Sequence, residues 1–201
     1  MKNELKIVAA VGVAAVLAGC ASTTAVDPGL TSYTEVDGAM ATMANAYLDA
    51  DGNLLGGVTA TPWADVPAVG SGAASATYNG FVGGDVTGGG AAALQNKSRV
   101  GELELTADFD AGTIAGSADN FYDDTNAQYT GALTLSGGIE TGFDPMIIAN
   151  LDGNLSNGGT SYATTIGLDG WFIGATGPDA VGGKASGTVD GGFFTGVFVA
   201  E

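Results

Sequence analysis

Few side chains in this chain are equipped for bond-making chemistry. Among its 201 residues there is no histidine and a single cysteine, Cys20. Without histidine the commonest general base and metal ligand are missing, and histidine-ligated haem is ruled out. No Ser-His-Asp arrangement can exist. Carboxylates are plentiful, but with 22 Asp and Glu chance pairs abound, and no glycosidase-like couple stands out. Gly83-Gly84 and Gly88-Gly89-Gly90 lie on either side of an acid, Asp85, the wrong sign for cradling phosphate. Two oxygen-rich sets, Asp49, Asp51, Asn53 and Asp123, Asp124, Asn126, have alternating or adjacent ligand types. Calcium takes about six to eight oxygens, and neither set continues with the glycine and glutamate of an EF-hand loop, so ordinary turns are expected and no metal. The reactive group left is the Cys20 thiol, at the end of Leu17-Ala18-Gly19-Cys20. The chain is expected not to be an enzyme.

What precedes Cys20 indicates how that thiol is used. Met1 to Lys6 is a short leader with two lysines, and Ile7 to Leu17 is an uninterrupted apolar run. The run is too short to span a bilayer, which takes roughly 20 apolar residues. It fits a signal peptide over residues 1–19, ending in small residues where cleavage falls. Leu17-Ala18-Gly19-Cys20 resembles the bacterial lipobox. The resemblance implies that the Cys20 thiol is joined to diacylglycerol, that the chain is cut before Cys20, and that the new amine is acylated, with palmitate as a typical chain. Each buried methylene adds about 0.8 kcal/mol, so three chains make a permanent anchor. Residue 21 is Ala rather than the Asp that resembles an inner-membrane retention signal, which favours the outer membrane. No cofactor is expected beyond this covalent lipid.

The formal net charge is −17. Two of the five basic residues lie in the leader, so Lys97, Arg99 and Lys184 are all that remain against the acids. Three cations cannot build the basic face that nucleic acid requires. Such acidity more often serves solubility or a salty habitat than a basic partner.

Three segments follow: residues 1–19, the signal peptide; 20–69, a lipidated N-terminus, tether and pre-barrel stretch; and 70–201, a folded domain. Ala21 to Thr34 is rich in Ala, Ser and Thr and reads as the start of a flexible tether. Val36, Met40, Met43 and Tyr47 recur at helical spacing, although Gly38 weakens the helix. The competing reading is a hairpin turning at Asp49 to Asn53, between Ala44 to Leu48 and Leu54 to Val58. Both stay open. Pro62, Trp63 and Pro67 mark a linker ending at Gly70.

From Gly72 onward the pattern is short runs of period two between turn signals. In Glu102 to Phe109 apolar side chains fall on odd positions and polar ones on even positions, as a strand with one wet face requires. Thr113 to Ala118 returns, and similar runs occur at Ser75 to Val82, Gly131 to Ile139, Ile147 to Leu155, Ala163 to Trp171, Lys184 to Val189 and Phe193 to Ala200. The expected fold is all-β: eight antiparallel strands in roughly 130 residues suit a closed up-and-down barrel whose side chains fill the lumen. The many glycines fit sharply bent strands. A membrane-embedded barrel is disfavoured, since it needs a continuous lipid-facing apolar band.

Several phrases in this region, taken in order, resemble the β-barrel domain of transferrin-binding-protein-B-like surface lipoproteins, to which factor H binding protein is also similar. They are Pro67 with Gly72 and Ala76-Thr77-Tyr78-Asn79-Gly80; Ala107 to Gly116; Gly170-Trp171-Phe172-Ile173-Gly174 with Gly182-Gly183; and Gly191 to Ala200. The segment Gly177 to Val181 lacks a glutamate common before the double glycine, and Glu201 stands where the family commonly has a basic end. There is also a single barrel, so transferrin capture does not carry over. The resemblance implies a surface-displayed, non-catalytic binding lipoprotein exported by an outer-membrane translocon, with a host or environmental protein or an iron-bearing ligand as partner.

A binding module presents its loops, and the longest are expected at Gly83 to Asn96, Asn120 to Thr130, Glu140 to Met146 and Gly174 to Gly183. Phe121 and Tyr122, then Tyr129 and Phe143, are the candidate ligand-binding anchors, because exposed aromatics dominate binding hot spots. The opposing expectation is that they pack over a barrel mouth. Two other readings stand beside binding: a structural envelope lipoprotein without a dedicated ligand, and a haem or iron-uptake accessory relying on Tyr or Met ligands.

Overall fold

The structure, a computed structural model, describes residues 29–67, 75–90, 94–140 and 146–201. Cys20, the leader and Phe143 lie outside the described residues. Nine strands form: β1 (Ser75–Thr87), β2 (Lys97–Asp108), β3 (Thr113–Asp123), the two-residue β4 (Gln128–Tyr129), β5 (Leu133–Glu140), β6 (Met146–Asn157), β7 (Thr160–Ile173), β8 (Ala180–Val189) and β9 (Gly192–Ala200). Every pairing is antiparallel, and the order β2-β1-β9-β8-β7-β6-β5-β3 is closed by β2 against β3. This is an eight-stranded closed up-and-down barrel with β4 as an addition, and its eight long strands contain or overlap the eight runs expected from period-two spacing.

Alternation decides which face is which. Along β2, Leu103, Leu105 and Ala107 point into the barrel and are buried, while Glu104 between them is exposed. On β6 and β7 the same rule buries Ile147, Ala149, Leu151, Leu155, Tyr162, Ile166 and Leu168 and leaves Asn150, Asp152, Thr165 and Asp169 outside. Burying these side chains away from water, at roughly 25 cal/mol per Å² of apolar surface, is what holds the cylinder together. Gly101 is required by close approach: a Cβ there would meet the ring of Phe121 at 2.6 Å.

Both readings of residues 35–58 turn out to be partly right. Helix α1 (Tyr33–Tyr47) forms with Ser32 as N-cap, whose Oγ accepts from the Glu35 amide while Glu35 Oε2 accepts from the Thr31 amide and the Ser32 hydroxyl. This reciprocal cap fixes the start of the helix. Its apolar face buries Val36 and Met40 against Phe81, Val100 and Tyr122, on the outer wall of β1, β2 and β3. Gly38 sits on the exposed side, where it has nothing to disturb. Immediately afterwards Asp49 to Asn53 does turn the chain, with Leu48 bridging Leu54. Tyr47 ends the helix against the C-terminal residue: its hydroxyl donates to Glu201 at 2.6 Å, and burial, reinforced by that carboxylate, pushes the phenol up to about 12.

Two expectations about the segment ahead of the barrel need correcting. The tether reading extended to Thr34, but Leu30 already packs on the outer wall and its carbonyl accepts from Asn120. The linker reading of Pro62 to Gly70 fails over its described part. Thr61 pairs with Phe172, Gly174 with Thr59, and Trp63 and Val66 pack against the core inside the barrel. Residues 59–66 therefore close the mouth at which β7 ends. Apolar Trp63 and Val66 make that possible in a stretch whose prolines suggest an open connection.

Candidate functional site

Strand alternation also governs the opposite mouth, where β2 begins and β3 ends. The inward positions of β2 run back from Leu105 through Leu103 and Gly101 to Arg99 and Lys97, which puts two of the three cations that follow Lys6 on the inner face. Across the ladder Arg99 is in register with Asp123 and Val100 with Tyr122. A bulge makes this register: the pairing shifts between Val100 and Glu102, where Asn120 adopts φ 49°. One extra residue reverses which face each following side chain occupies. Phe121 and Asp123 consequently turn inward and Tyr122 outward. Asn120 holds the bulge by donating to Glu102 and to the Leu30 carbonyl and accepting from Gln128.

The result is a buried polar network. Asp123 is wholly buried, and Lys97 Nζ, with a quarter of its side chain exposed, reaches Asp123 Oδ2 at 2.6 Å. Thr125 donates to Oδ1 through its amide at 2.9 Å and its hydroxyl at 2.6 Å, and the Ala127 amide donates at 3.1 Å. Tyr129 donates its hydroxyl to Oδ2 at 3.0 Å and accepts from Arg99 Nη2 at 3.3 Å, while its ring centre lies 5.0 Å from the guanidinium carbon. Burial alone would raise the Asp123 carboxyl. The hydrogen bonds from Lys97, Thr125, Ala127 and Tyr129 outweigh it and hold the group well below the usual carboxylate range. Burial likewise raises the Tyr129 phenol, against the pull of Arg99. Two buried aromatics, Tyr129 and Tyr162, pack with tilted rings 6.0 Å apart beside this network.

The expected binding anchors occupy other positions than an exposed loop. Phe121 is 1 % exposed in the barrel core, Tyr122 is 5 % exposed beneath α1, and Tyr129 is 4 % exposed. The premise that these aromatics stand exposed is corrected: all three are packed, as the opposing expectation held, but Tyr122 lies on the outer wall under α1 rather than over the mouth. The cause is strand length. β1 runs to Thr87, β3 to Asp123 and β8 starts at Ala180, each inside a stretch expected to be loop. Instead Phe193, at the start of β9 on the same mouth, is 63 % exposed.

Both oxygen-rich sets behave as turns. Asp49 Oδ1 accepts from the amides of Asp51 and Asn53, and Asp123 closes the turn through Ala127. Among the described residues no group of three or more His, Cys, Asp or Glu is placed to hold a metal ion. An open cleft of about 280 Å³ lies outside the barrel between α1, β1 and β9, lined by Tyr33, Asp37, Met40, Gly83, Asp85 and Thr195 among others. Met40 Sδ fills the hollow left by Gly83, which narrows the floor of this cleft. Ser98 Oγ donates to Asp85, and burial with nearby acids raises the Tyr33 phenol.

What sequence reasoning missed is the network of Lys97, Arg99, Asp123 and Tyr129 as a unit. A signal existed on one strand. Lys97 and Arg99 share the odd parity of Leu103 and Leu105, so the same alternation that predicted the core also pointed these charges inward. Nothing comparable marks Asp123, since its orientation depends on the bulge.

Fold and site together define a closed antiparallel β-barrel with a buried charged network at one mouth and an apolar closure at the other. Comparison of the chain with family models, with curated proteins and with solved structures finds no match.

Proposed function

We propose that this chain is an outer-membrane lipoprotein, anchored through lipid on Cys20 and displayed at the cell surface, whose barrel binds a protein or a small iron-bearing ligand by contact rather than catalysis. The observation that carries this reading is Leu17-Ala18-Gly19-Cys20 at the end of a basic leader and an apolar run. The character of the barrel wall supports it. Outward positions such as Glu104, Asp152, Asp169 and Lys184 are charged and exposed, whereas a barrel embedded in lipid turns an apolar band outward. Among the described residues no helix is long and apolar enough to cross a membrane, which says nothing of strands.

With Phe121, Tyr122 and Tyr129 packed away, the contact surface in this proposal moves to the mouth that carries Phe193 and the turns at 88–90 and 190–191. Export by a surface-lipoprotein translocon, and kinship with the transferrin-binding-protein-B-like barrels, belong to the same proposal and rest on the ordered phrases between Pro67 and Ala200. The burial of the expected anchors favours a second reading, a structural envelope lipoprotein whose barrel is a tethered spacer.

Cys20→Ala tests the anchor. The expected result is loss of incorporated palmitate and release of the protein from the membrane fraction; continued sedimentation with the outer membrane refutes the lipid reading. Phe193→Ala separates the two functions. Ligand capture that weakens in this variant supports binding at the mouth, and repeated failure of the wild-type protein to enrich any ligand supports the spacer.

A further inference from the structure

The polar mouth leaves one charge without a counterpart. Arg99 is 2 % exposed, and although Nη2 has the Tyr129 hydroxyl as acceptor, Nε and Nη1 are sealed from solvent and have no acceptor among the described residues. A guanidinium does not shed its proton within proteins, so burial cannot neutralise it as it would a lysine. Unmade hydrogen bonds on a buried charged group are among the costliest defects a fold can carry. The neighbouring carboxylate is already committed. Asp123 faces Arg99 across the ladder, yet its oxygens take Lys97, Thr125, Ala127 and Tyr129. Lys97, Arg99 and Asp123 together sum to one positive charge in a chain whose formal net charge is −17, and of the two cations Arg99 is the one shut away from water, since Lys97 keeps a quarter of its side chain exposed.

We propose that this mouth of the barrel is an anion site, in which one compact monovalent anion, chloride being the plainest example, seats at the edge of the Arg99 guanidinium. Water alone can fill the empty donors, but it leaves the charge uncompensated in a medium where an unpaired ion is expensive. The anion compensates the charge and accepts from one of the donors. The Nε and Nη1 groups diverge, so it takes one of them and an accompanying water takes the other. The surroundings select for size. One face of the guanidinium is occupied by the Tyr129 ring at 5.0 Å, and the Phe121 ring lies over Gly101, the next inward position on β2. Between these two rings a compact anion fits better than a bulky carboxylate or phosphate ester, and because both unmatched nitrogens are closed to solvent, entry of any anion takes a local opening of the mouth.

Thermal unfolding of the full chain at fixed sodium concentration, with gluconate exchanged for chloride, tests the site. Because both salts screen surface charge equally, a chloride-specific rise in Tm of roughly 3 °C reports binding to the folded state. The rise is expected in the wild-type protein and not in Arg99→Met. Equal Tm values in the two salts, or a rise that persists in Arg99→Met, overturn the proposal. Should Arg99→Met fail to fold, wild-type crystals grown in bromide decide: an anomalous peak within hydrogen-bond distance of Nε or Nη1 supports the site, and water alone at that position overturns it.

Discussion

The two mouths of the barrel are closed by opposite chemistry. At the end where β7 finishes, Trp63 and Val66 from the segment ahead of the barrel pack into the core that includes Phe172, whose ring lies 5.4 Å from Phe109 and 6.3 Å from Tyr78. At the other end Lys97, Arg99, Asp123 and Tyr129 interlock through hydrogen bonds and an ion pair. Apolar closure gains from every methylene removed from water and is indifferent to pH. Polar closure gains little net energy, because desolvation opposes attraction, but it fails sharply when one member is lost. The first kind of end supplies stability and the second supplies geometry at a cost that pH can expose.

Phe172→Ala tests the apolar end and carries the largest expected effect. Removing a fully buried ring should cost about 3–5 kcal/mol, read from the urea midpoint at constant slope. A loss under 1 kcal/mol would mean that the plug re-packs and that this end contributes little. Asp123→Asn at the polar end should cost about 2 kcal/mol near neutral pH, since Lys97 loses its counter-ion but keeps water contact. Its signature is pH dependence. A carboxyl whose folded pKa is depressed stabilises the protein above its unfolded pKa of about 3.9, and that contribution disappears as pH falls through the lower folded value. The gap between wild type and Asp123→Asn should therefore shrink on acidification below about pH 4. A gap that stays constant into strong acid would show that the pair does not carry the difference. The two substitutions sit at opposite ends without shared partners, so their costs should add. Smallest is Ser32→Ala, which removes the cap of α1 and should cost about 1 kcal/mol. No change in the unfolding midpoint would mean that Glu35 and Thr31 hold the helix start without it.

These two ends also differ in how far they could be read from residue order. The wall between them was legible, because the period-two runs, Glu102 to Phe109 above all, place one side chain in and one out. The polar end was half legible: Lys97 and Arg99 keep the parity of the core positions, but Asp123, Phe121 and Tyr122 owe their directions to a single extra residue at Asn120. A bulge leaves no periodic trace, and parity counted through it gives the wrong face for all three. The apolar end was not legible at all. Residues 59–61 pair with the end of β7 and with Gly174, more than 100 positions later, and no local pattern announces a long-range contact of that kind. The helix and the turn after it compete in the sequence because their windows overlap, whereas in the structure they succeed one another at Leu48.

Drawing Lys97 and Arg99 inside changes the outside. Among the described residues Lys184 is then the exposed cation, on a wall otherwise studded with carboxylates. Two copies approaching side by side present like signs from nearly every direction, and the force between them reaches only about 8–10 Å at physiological salt. Fresh water would hold such molecules apart on any shared surface, whereas brine would let them crowd.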